Sequence, residues 1–205
     1  MKHNTDDTFN QYKARLVAKG DGQTHEVDYE ETFAPMAKMT TILTKIALAL
    51  AKGSHLHQMD VKNAFLQGEV EEKVYMVQPP RFKSSAHPQA VCRLKKPLYG
   101  LKQAPKACHS KITQYLNQIG FKVSKTDNSL SIQSDCKGQV FIIIYVDDLV
   151  IGGEYITDIE HIKKLLSCRF KMKDMKELHY FLGIEVILTS DDLMISQRHY
   201  ILNLL

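Results

Sequence analysis

The stretch that decides the fold is VFIIIYVDDLVIGG, at positions 140–153. Its first six residues are all apolar or aromatic, which is typical of a buried strand. A second apolar run at 149–151 ends at two glycines, so the pattern predicts two strands joined by a short turn. The turn carries two adjacent carboxylates, Asp147 and Asp148.

These two carboxylates admit two interpretations. Acidic side chains beside apolar strands cost free energy unless a cation or hydrogen bonds compensate, and Mg²⁺ is commonly held by one or two carboxylates together with phosphates. The alternative is a solvated turn, because Asp is a common turn residue. Successive strand side chains point to opposite faces, so we expect only one of the pair to project into a shared cleft.

A third carboxylate, Asp60, ends a short candidate strand with the sequence LHQMDV at 56–61. It lies far from Asp147 along the chain, so only the fold can bring the two together. A strand-end or helix N-cap aspartate is the alternative interpretation of Asp60. Taken together beside a basic stretch, the carboxylates suggest two-metal phosphoryl chemistry on nucleic acid.

The remaining pattern mixes helices and strands. Apolar periodicity predicts helices at 39–52 and 107–119, the first capped by Thr40 or Thr41, and a capping box at 157–160 predicts a third. Further strands are predicted at 12–19, 184–188 and 193–196. This order lacks regular βαβ alternation, which favours an α+β fold with an antiparallel sheet.

Charge is distributed unevenly along the chain. The formal net charge is only +4, from 27 basic and 23 acidic residues. Positions 73–126 hold eleven basic residues and no Asp or Glu, which leaves sixteen basic against 23 acidic residues elsewhere, a net charge of −7. An acid-free basic stretch in an otherwise acidic chain indicates a polyanion-binding surface, and the alternative is a solvated lysine-rich face.

Composition excludes several classes of protein. The chain of 205 residues is 44% hydrophobic and 24% charged, as in ordinary globular proteins, and no apolar run is long enough to span a membrane. The polar N-terminus lacks a signal sequence, and the four cysteines are scattered, so we expect buried, reduced thiols. We therefore expect an intracellular protein, in a cytoplasmic particle or the nucleus, that is not secreted.

Seven segments in order resemble the reverse transcriptase of copia-type (pseudovirus) LTR retrotransposons. The similarity covers nearly the whole chain from Tyr12 onward. The segments are YKARLVAKG (12–20), DYEETFAP (28–35), MDVKNAFLQGE (59–69), VYM (74–76), KPLYGLKQAPKA (96–107), YVDD (145–148) and YFLGIE (180–185).

The resemblance implies a polymerase palm, an antiparallel sheet backed by helices, with inserted fingers and a truncated thumb. The implied fingers are about 1–38 and 68–106, the palm about 39–67 and 107–190, and the start of the thumb 191–205. Asp60, Asp147 and Asp148 match the three catalytic carboxylates. With the carbonyl of Val61, they would bind two Mg²⁺ or Mn²⁺ ions.

Further roles follow from the same resemblance. Phe65 resembles a steric gate against the 2′-hydroxyl, with a core Phe as the alternative. Gln103 matches a residue that contacts the incoming nucleotide. Lys13 and Arg15 match fingers residues that neutralise its triphosphate, with ordinary exposed strand charges as the alternative. Tyr145 would pack near the primer end, with a strand residue that only fills space as the alternative. Phe181, Leu182 and Gly183 resemble the start of the primer grip, with a hydrophobic turn as the alternative. Lys163 or Lys164 is a candidate general acid, against the alternative of a solvated helix face.

The implied function is RNA- or DNA-templated synthesis of DNA from dNTPs, with a primed template as partner and no membrane involved; the oligomeric state is left open. Two alternatives stand beside it. One is an inactive retroelement remnant with residual nucleic-acid binding, and the other is a metal-dependent nuclease, which would also use clustered Asp.

Overall fold

The computed structural model describes residues 2–3, 9–11, 14–32, 34–69, 73–136, 138–188 and 193–202. Within these ranges the chain forms four α-helices and thirteen strands, and the strands of each sheet pair antiparallel. The predicted mixed α/β architecture with antiparallel sheets is therefore confirmed. In chain order the elements are β1 (Lys2–His3), β2 (Phe9–Gln11), α1 (Met39–Ala51), β3 (His55–Val61), β4 (Tyr75–Val77), β5 (Val91–Arg93), α2 (Ala104–Gln118), β6 (Lys122–Val123), β7 (Leu130–Ser134), β8 (Gln139–Tyr145), β9 (Asp148–Gly153), α3 (Ile156–Arg169), β10 (Met172–Glu177), β11 (Tyr180–Phe181), β12 (Ile184–Leu188), β13 (Leu193–Ser196) and α4 (Arg198–Leu202).

A six-stranded sheet in the order β10-β3-β9-β8-β7-β6 forms the centre of the molecule. The predicted hairpin is its β8–β9 pair. Smaller sheets are β11-β12-β13, β4-β5 and β1-β2. None of the helices in the described ranges combines the length and the apolar character needed to cross a bilayer.

Both faces of the central hairpin are buried, which explains why its sequence is continuously apolar rather than alternating. Ile142 and Ile144 lie in one core together with residues of α2 and α3. Ile143 lies in a second core, with α1 and residues of β11 and β12. Covering both faces holds the β8–β9 turn rigidly at one end of the sheet.

The helices agree with the predicted periodicity, but their predicted caps are wrong. Helix α1 begins at Met39, and the buried carboxylate of Asp127 accepts hydrogen bonds from the Lys38 N–H (3.1 Å) and from Thr41. A carboxylate that is distant in sequence therefore accepts hydrogen bonds from the residues at the N-terminus of α1. Helix α3 begins at Ile156, and no side chain caps it at the preceding Tyr155.

Two further predictions need correction. Residues 14–19 form no strand, because Val17 makes only an isolated bridge to Tyr99, and residues 12–13 lie outside the described ranges. The four cysteines are free, as predicted, but Cys136 and Cys168 are exposed rather than buried.

Candidate active site

The turn between β8 and β9 presents the paired carboxylates. Tyr145 and Asp148 are cross-strand partners, so Val146 and Asp147 are the two central residues of the turn. Val146 has a φ of +52°, and a positive φ at the first central residue is a feature of the primed turns, types I′ and II′, whose twist suits a hairpin. A β-branched residue there costs about 1–3 kcal/mol, which the buried strands on either side must offset.

Folding brings Asp60 to this turn. Asp60 on β3 lies directly opposite Asp148 on β9, and the Val61 N–H donates a 2.7 Å hydrogen bond to the carbonyl oxygen of Asp147. Cross-strand partners project from the same face of a sheet with Cβ atoms about 5 Å apart. The structure therefore places Asp60 beside Asp148 and the main chain of Asp147 next to both.

The row of side chains continues on both sides of the carboxylates. Tyr145 lies opposite Asp148 on β8, and Lys173 lies opposite Asp60 on β10. The row across β8, β9, β3 and β10 thus reads Tyr145, Asp148, Asp60, Lys173. No pattern in the sequence pointed to Lys173, because five of the six residues of β10 are exposed.

The two facing carboxylates repel each other. Burial raises the pKa of Asp148, and the negative charge of Asp60 raises it further, whereas a hydrogen bond from the Gln58 amide (3.2 Å to Oδ1) opposes the rise. A group held in this way is stabilised by a nearby cation, because the cation removes the penalty on its charged form.

The donor set suits a hard divalent cation. Carboxylate oxygens are the ligands that Mg²⁺ and Mn²⁺ prefer, and Asp60 and Asp148 supply them from one face of one sheet. Within the described residues, no group of three or more His, Cys, Asp or Glu is already gathered closely enough to hold a metal ion. The fit therefore rests on the donor chemistry and on the repulsion that a cation would relieve.

Phe65 lies on the turn that follows β3. A 3₁₀ turn spans Ala64–Gln67, and its preceding residue Asn63 is left-handed, with a φ of +52°. The Phe65 ring is half-buried and packs against the ring of Tyr99, with centroids 4.6 Å apart. Phe65 thus lies five residues after Asp60, where the resemblance predicts the steric gate, and its ring also makes packing contacts with Tyr99.

Tyr99 is the residue that inspection of the sequence missed. The Arg15 guanidinium lies 4.9 Å from the centroid of the Tyr99 ring, and the Arg15 side chain also hydrogen-bonds the Tyr99 side chain. Burial raises the pKa of the Tyr99 phenol, Asp147 and Asp60 raise it further, and Arg15 lowers it. The Tyr99 side chain thus contacts both Arg15 and Phe65, and the charges of Asp147 and Asp60 shift the pKa of its phenol.

Gln103 lies at the start of α2 and is almost fully buried. Its amide nitrogen donates to the Asp28 carbonyl (3.3 Å), and its amide oxygen accepts from Gln23 (3.0 Å). Gln23 also accepts from the Lys102 N–H (2.9 Å). Gln103 is thus held by Gln23 and by the main chain of Asp28.

Two groups of predicted site residues remain: the basic pair Lys13 and Arg15, and the primer-end group Tyr145, Phe181, Leu182 and Gly183. Arg15 is exposed and reaches the site through Tyr99, whereas Lys13 lies outside the described residues. Tyr145 meets Phe181 edge-to-face at 6.4 Å between centroids. Leu182 and Gly183 form the turn between β11 and β12, and both have positive φ, as in a type I′ hairpin.

Comparison with known proteins identifies the family. The model of the family described as "Reverse transcriptase (RNA-dependent DNA polymerase)" matches residues 1–205. The chain belongs to this reverse transcriptase family. It is similar to the Retrovirus-related Pol polyproteins from transposons RE1 and RE2 of Arabidopsis thaliana, at 47% and 44% identity over 204 residues, each covering 100% of this chain and 14% of the relative. A third relative, from transposon TNT 1-94 of Nicotiana tabacum, is 36% identical over 98% of this chain and 15% of its own length.

These relatives are copia-type retrotransposon polyproteins, so the recognised resemblance is confirmed. The reverse transcriptase chain described here spans about one seventh of their length, 14–15%. The activity, substrates and partners of the whole polyproteins are therefore matters for proposal.

The candidate general acid Lys163 is neither solvated nor directed at the carboxylate row. It is 5% exposed and forms ion pairs of 2.7 Å with Glu160 and with Asp174. Its Nζ also lies 3.3 Å from His57 Nδ1. Burial alone lowers the pKa of Lys163, but the two ion pairs outweigh burial and raise it. The Lys163 side chain therefore connects α3 to His57 on β3 and to Asp174 on β10.

Proposed function

We propose that this reverse transcriptase chain is a polymerase core that adds dNTPs to a primer, directed by an RNA or DNA template. The main support is the pairing of Asp60 with Asp148 across β3 and β9, with Asp147 tied to Val61 beside them. Three acidic positions from two distant segments meet at one end of a sheet, as nucleotidyl transfer with two metal ions requires.

In this proposal Asp60, Asp147, Asp148 and the carbonyl of Val61 hold two Mg²⁺ or Mn²⁺ ions. Such ions, when bound, lower the pKa of the primer 3′-hydroxyl and stabilise the leaving pyrophosphate. The chain itself positions the carboxylates: the β8–β9 turn holds Asp147 and Asp148, and the pairing of β9 with β3 holds Asp60. The cores on both faces of the sheet keep this constellation rigid.

The proposal assigns the substrates to the surrounding residues. Lys13, Arg15, Phe65 and Gln103 would contact the incoming dNTP. Tyr145 would lie near the primer end, and Phe181, Leu182 and Gly183 would begin the primer grip. The contact between Tyr145 and Phe181 supports this grouping, because it joins the carboxylate hairpin to the β11–β12 turn.

The domain assignment belongs to the same proposal. The central sheet with α1, α2 and α3 would be the palm, at about 39–67 and 107–190. Residues 1–38 and 68–106 would form the fingers, and 191–205 the start of the thumb. The β4–β5 hairpin supports this division, because it forms a sheet of its own, separate from the central one.

Primer extension on a defined RNA template tests the function. The chain is supplied with a labelled DNA primer, dNTPs and Mg²⁺ or Mn²⁺, and products are resolved by length. Extension that stops when EDTA is added supports the polymerase. Cleavage without extension supports a nuclease, and salt-sensitive binding with neither reaction supports an inactive remnant; each of these two results would overturn the proposal.

Replacing Phe65 with Val is expected to relax sugar selection. If the ring occupies the space of a 2′-hydroxyl, the smaller side chain admits rNTPs, and the ratio of kcat/KM for dNTP over rNTP should fall on the order of tenfold to a hundredfold. Single-nucleotide addition measured with dGTP and GTP on the same primed template checks this.

Phe65→Tyr is the matched control, because it keeps the ring and should keep the selectivity. Since Phe65 also packs against two hydrophobic clusters, the thermal melting of each variant is measured alongside. A Phe65→Val protein that is folded and still rejects GTP as strongly as the unaltered chain would identify Phe65 as a core residue only.

A further inference from the structure

One face of the β4–β5 hairpin carries exposed apolar side chains beside cations. Tyr75 lies opposite Arg93, and Val77 lies opposite Val91. Tyr75, Val77 and Val91 are 57%, 75% and 57% exposed. The Leu94 N–H donates to the Val74 carbonyl (2.9 Å), which extends the pairing beyond the ladder. We call this the outer face; its members are Lys73, Tyr75, Val77, Val91, Arg93 and Lys95.

The opposite face of the same hairpin is packed. Val74 is buried in a cluster with Ala104, and Met76 and Leu94 pack against that cluster. The side chains alternate regularly, so the outer face is a consequence of strand geometry rather than of local unfolding. The hairpin's loop is also ordered: buried Gln78 donates to the carbonyls of His87 (2.9 Å) and Ala90 (2.6 Å).

We infer that the outer face is a stacking platform for single-stranded nucleic acid. This inference rests on the proposed polymerase function and names the part of the template that the hairpin would bind. Exposed aromatic and aliphatic side chains take unpaired bases, and adjacent cations take the phosphates. A duplex would not use Tyr75 in this way, because its bases are already paired and stacked.

Charge favours this occupant over a protein partner. The strands of the hairpin lie inside the acid-free stretch at 73–126, which holds eleven cations and no carboxylates, although Glu71 and Glu72 directly precede Lys73. The ion pairs found among the described residues engage Lys106 and Lys111 of that stretch but none of the outer-face cations. Lysines are depleted from the centres of protein interfaces, whereas the outer face has two, Lys73 and Lys95, which flank the end of the hairpin where Tyr75 pairs with Arg93.

Fluorescence anisotropy in EDTA tests the platform without requiring catalysis. The probes are a labelled 12-nucleotide RNA or DNA single strand and a blunt duplex of the same sequence. Tyr75→Ala is expected to weaken single-strand binding about fivefold to a hundredfold and to leave duplex binding unchanged. Tyr75→Phe should bind like the unaltered chain, and Tyr155→Ala, at a tyrosine that is 50% exposed on another element, is the matched control.

A second variant separates stacking from charge. Arg93→Gln should reduce the slope of log K against log salt for the single strand by about 0.7, whereas Tyr75→Ala should leave the slope unchanged. Equal single-strand affinity for Tyr75→Ala and the unaltered chain would overturn the platform, whether or not the chain extends primers. A change of oligomeric state in Tyr75→Ala, without a change in single-strand affinity, would instead assign the outer face to contacts between copies.

A separate set of contacts points to Tyr99 as a positioning residue. Its ring packs on Phe65 and under Arg15, and its main chain holds the N-terminal segment: the Ala18 N–H donates to the Tyr99 carbonyl (2.7 Å). We propose that Tyr99 sets the position of the Phe65 ring and thereby the sugar selectivity. This proposal also rests on the polymerase function.

A double-mutant cycle on sugar selectivity tests the role of Tyr99. Tyr99→Leu should lower the dNTP over rNTP ratio of kcat/KM about fivefold, while Tyr99→Phe, which keeps the ring, should retain it. In a Phe65→Val background Tyr99→Leu should have no further effect, because the residue through which it acts is gone. If Tyr99→Leu lowers dNTP and rNTP use equally, it is a structural residue and the proposal fails. No extension by the unaltered chain would remove the polymerase function itself.

Discussion

Asp147→Asn is expected to reduce primer extension by at least about a hundredfold while leaving the protein folded. The substitution keeps the size of the side chain and removes its negative charge, so the packing of the turn is preserved while a cation ligand is weakened. The Val61 hydrogen bond to the Asp147 carbonyl involves only the main chain and survives the change. Single-nucleotide addition under saturating dNTP gives the loss in kcat directly.

Folding and catalysis can be separated within the same row of side chains. Because Asp148 and Asp60 repel each other, Asp148→Asn should melt at the same temperature as the unaltered chain or higher in metal-free buffer, yet lose extension. Asp158→Asn, the same chemical change in the first turn of α3, is the control and should retain activity. Undiminished extension by Asp147→Asn would remove this residue from the catalytic set.

The pH dependence of stability follows from the Asp148 carboxyl. Its pKa is raised in the folded protein, so the folded state binds the proton more tightly than the unfolded chain does. The contribution of Asp148 to the free energy of unfolding is therefore favourable at low pH and falls as the pH rises past the ordinary Asp range. Metal-free melting curves of the unaltered chain and Asp148→Asn between pH 4 and about 7 should converge at the acidic end; a gap that widens on acidification would contradict this.

The sequence was most informative where burial dictates composition. The continuous apolar run of β8 is typical of a buried strand, and the structure buries Val140 to Ile144 between the two cores. The periodicity of α1 and α2 likewise predicted their ends to within about three residues, as is usual for boundaries. Both signals come from side chains that must leave water.

The sequence was least informative where pairing, not burial, makes the structure. Strand β10 reads MKDMKE, and only Met172 is partly buried, so no alternation marks it as a strand. It exists because the edge of β3 offers a ladder. Conversely, the basic and β-branched residues near Val17 resemble a strand, but they find only the single bridge to Tyr99.

The candidate site shows the same division. The hairpin with Asp147 and Asp148 was predictable from its two apolar runs, whereas the partnership of Asp60 with Asp148 depends on β3 pairing with β9, which local pattern does not encode. The resemblance to a family supplied that link. The role of Tyr99 could not be predicted from the local sequence, because a single aromatic residue in a loop has the same pattern whether its ring fills space or joins two segments.

The largest expected loss of stability comes from Gly100→Ala. Gly100 has a φ of +91°, which L side chains rarely adopt, and a Cβ there would overlap the carbonyl oxygen of Ala18. The obstacle is backbone, so no side chain can move aside. The strain and the overlap together should cost about 2–5 kcal/mol, a large part of a typical domain's free energy of unfolding.

The loss should appear in function before the chain unfolds. Gly100 adjoins Tyr99, whose carbonyl receives the Ala18 N–H, so the overlap would separate the N-terminal segment from the ring on which Arg15 and Phe65 meet. Thermal melting should fall by about 5 °C or more, and sugar selectivity should weaken at temperatures where the protein is still folded. Gly22→Ala is the control, because a Cβ there meets nothing within 4 Å, and it should melt like the unaltered chain. Equal melting temperatures for the two variants would show that the segment carrying Ala18 contributes little to the stability of the fold.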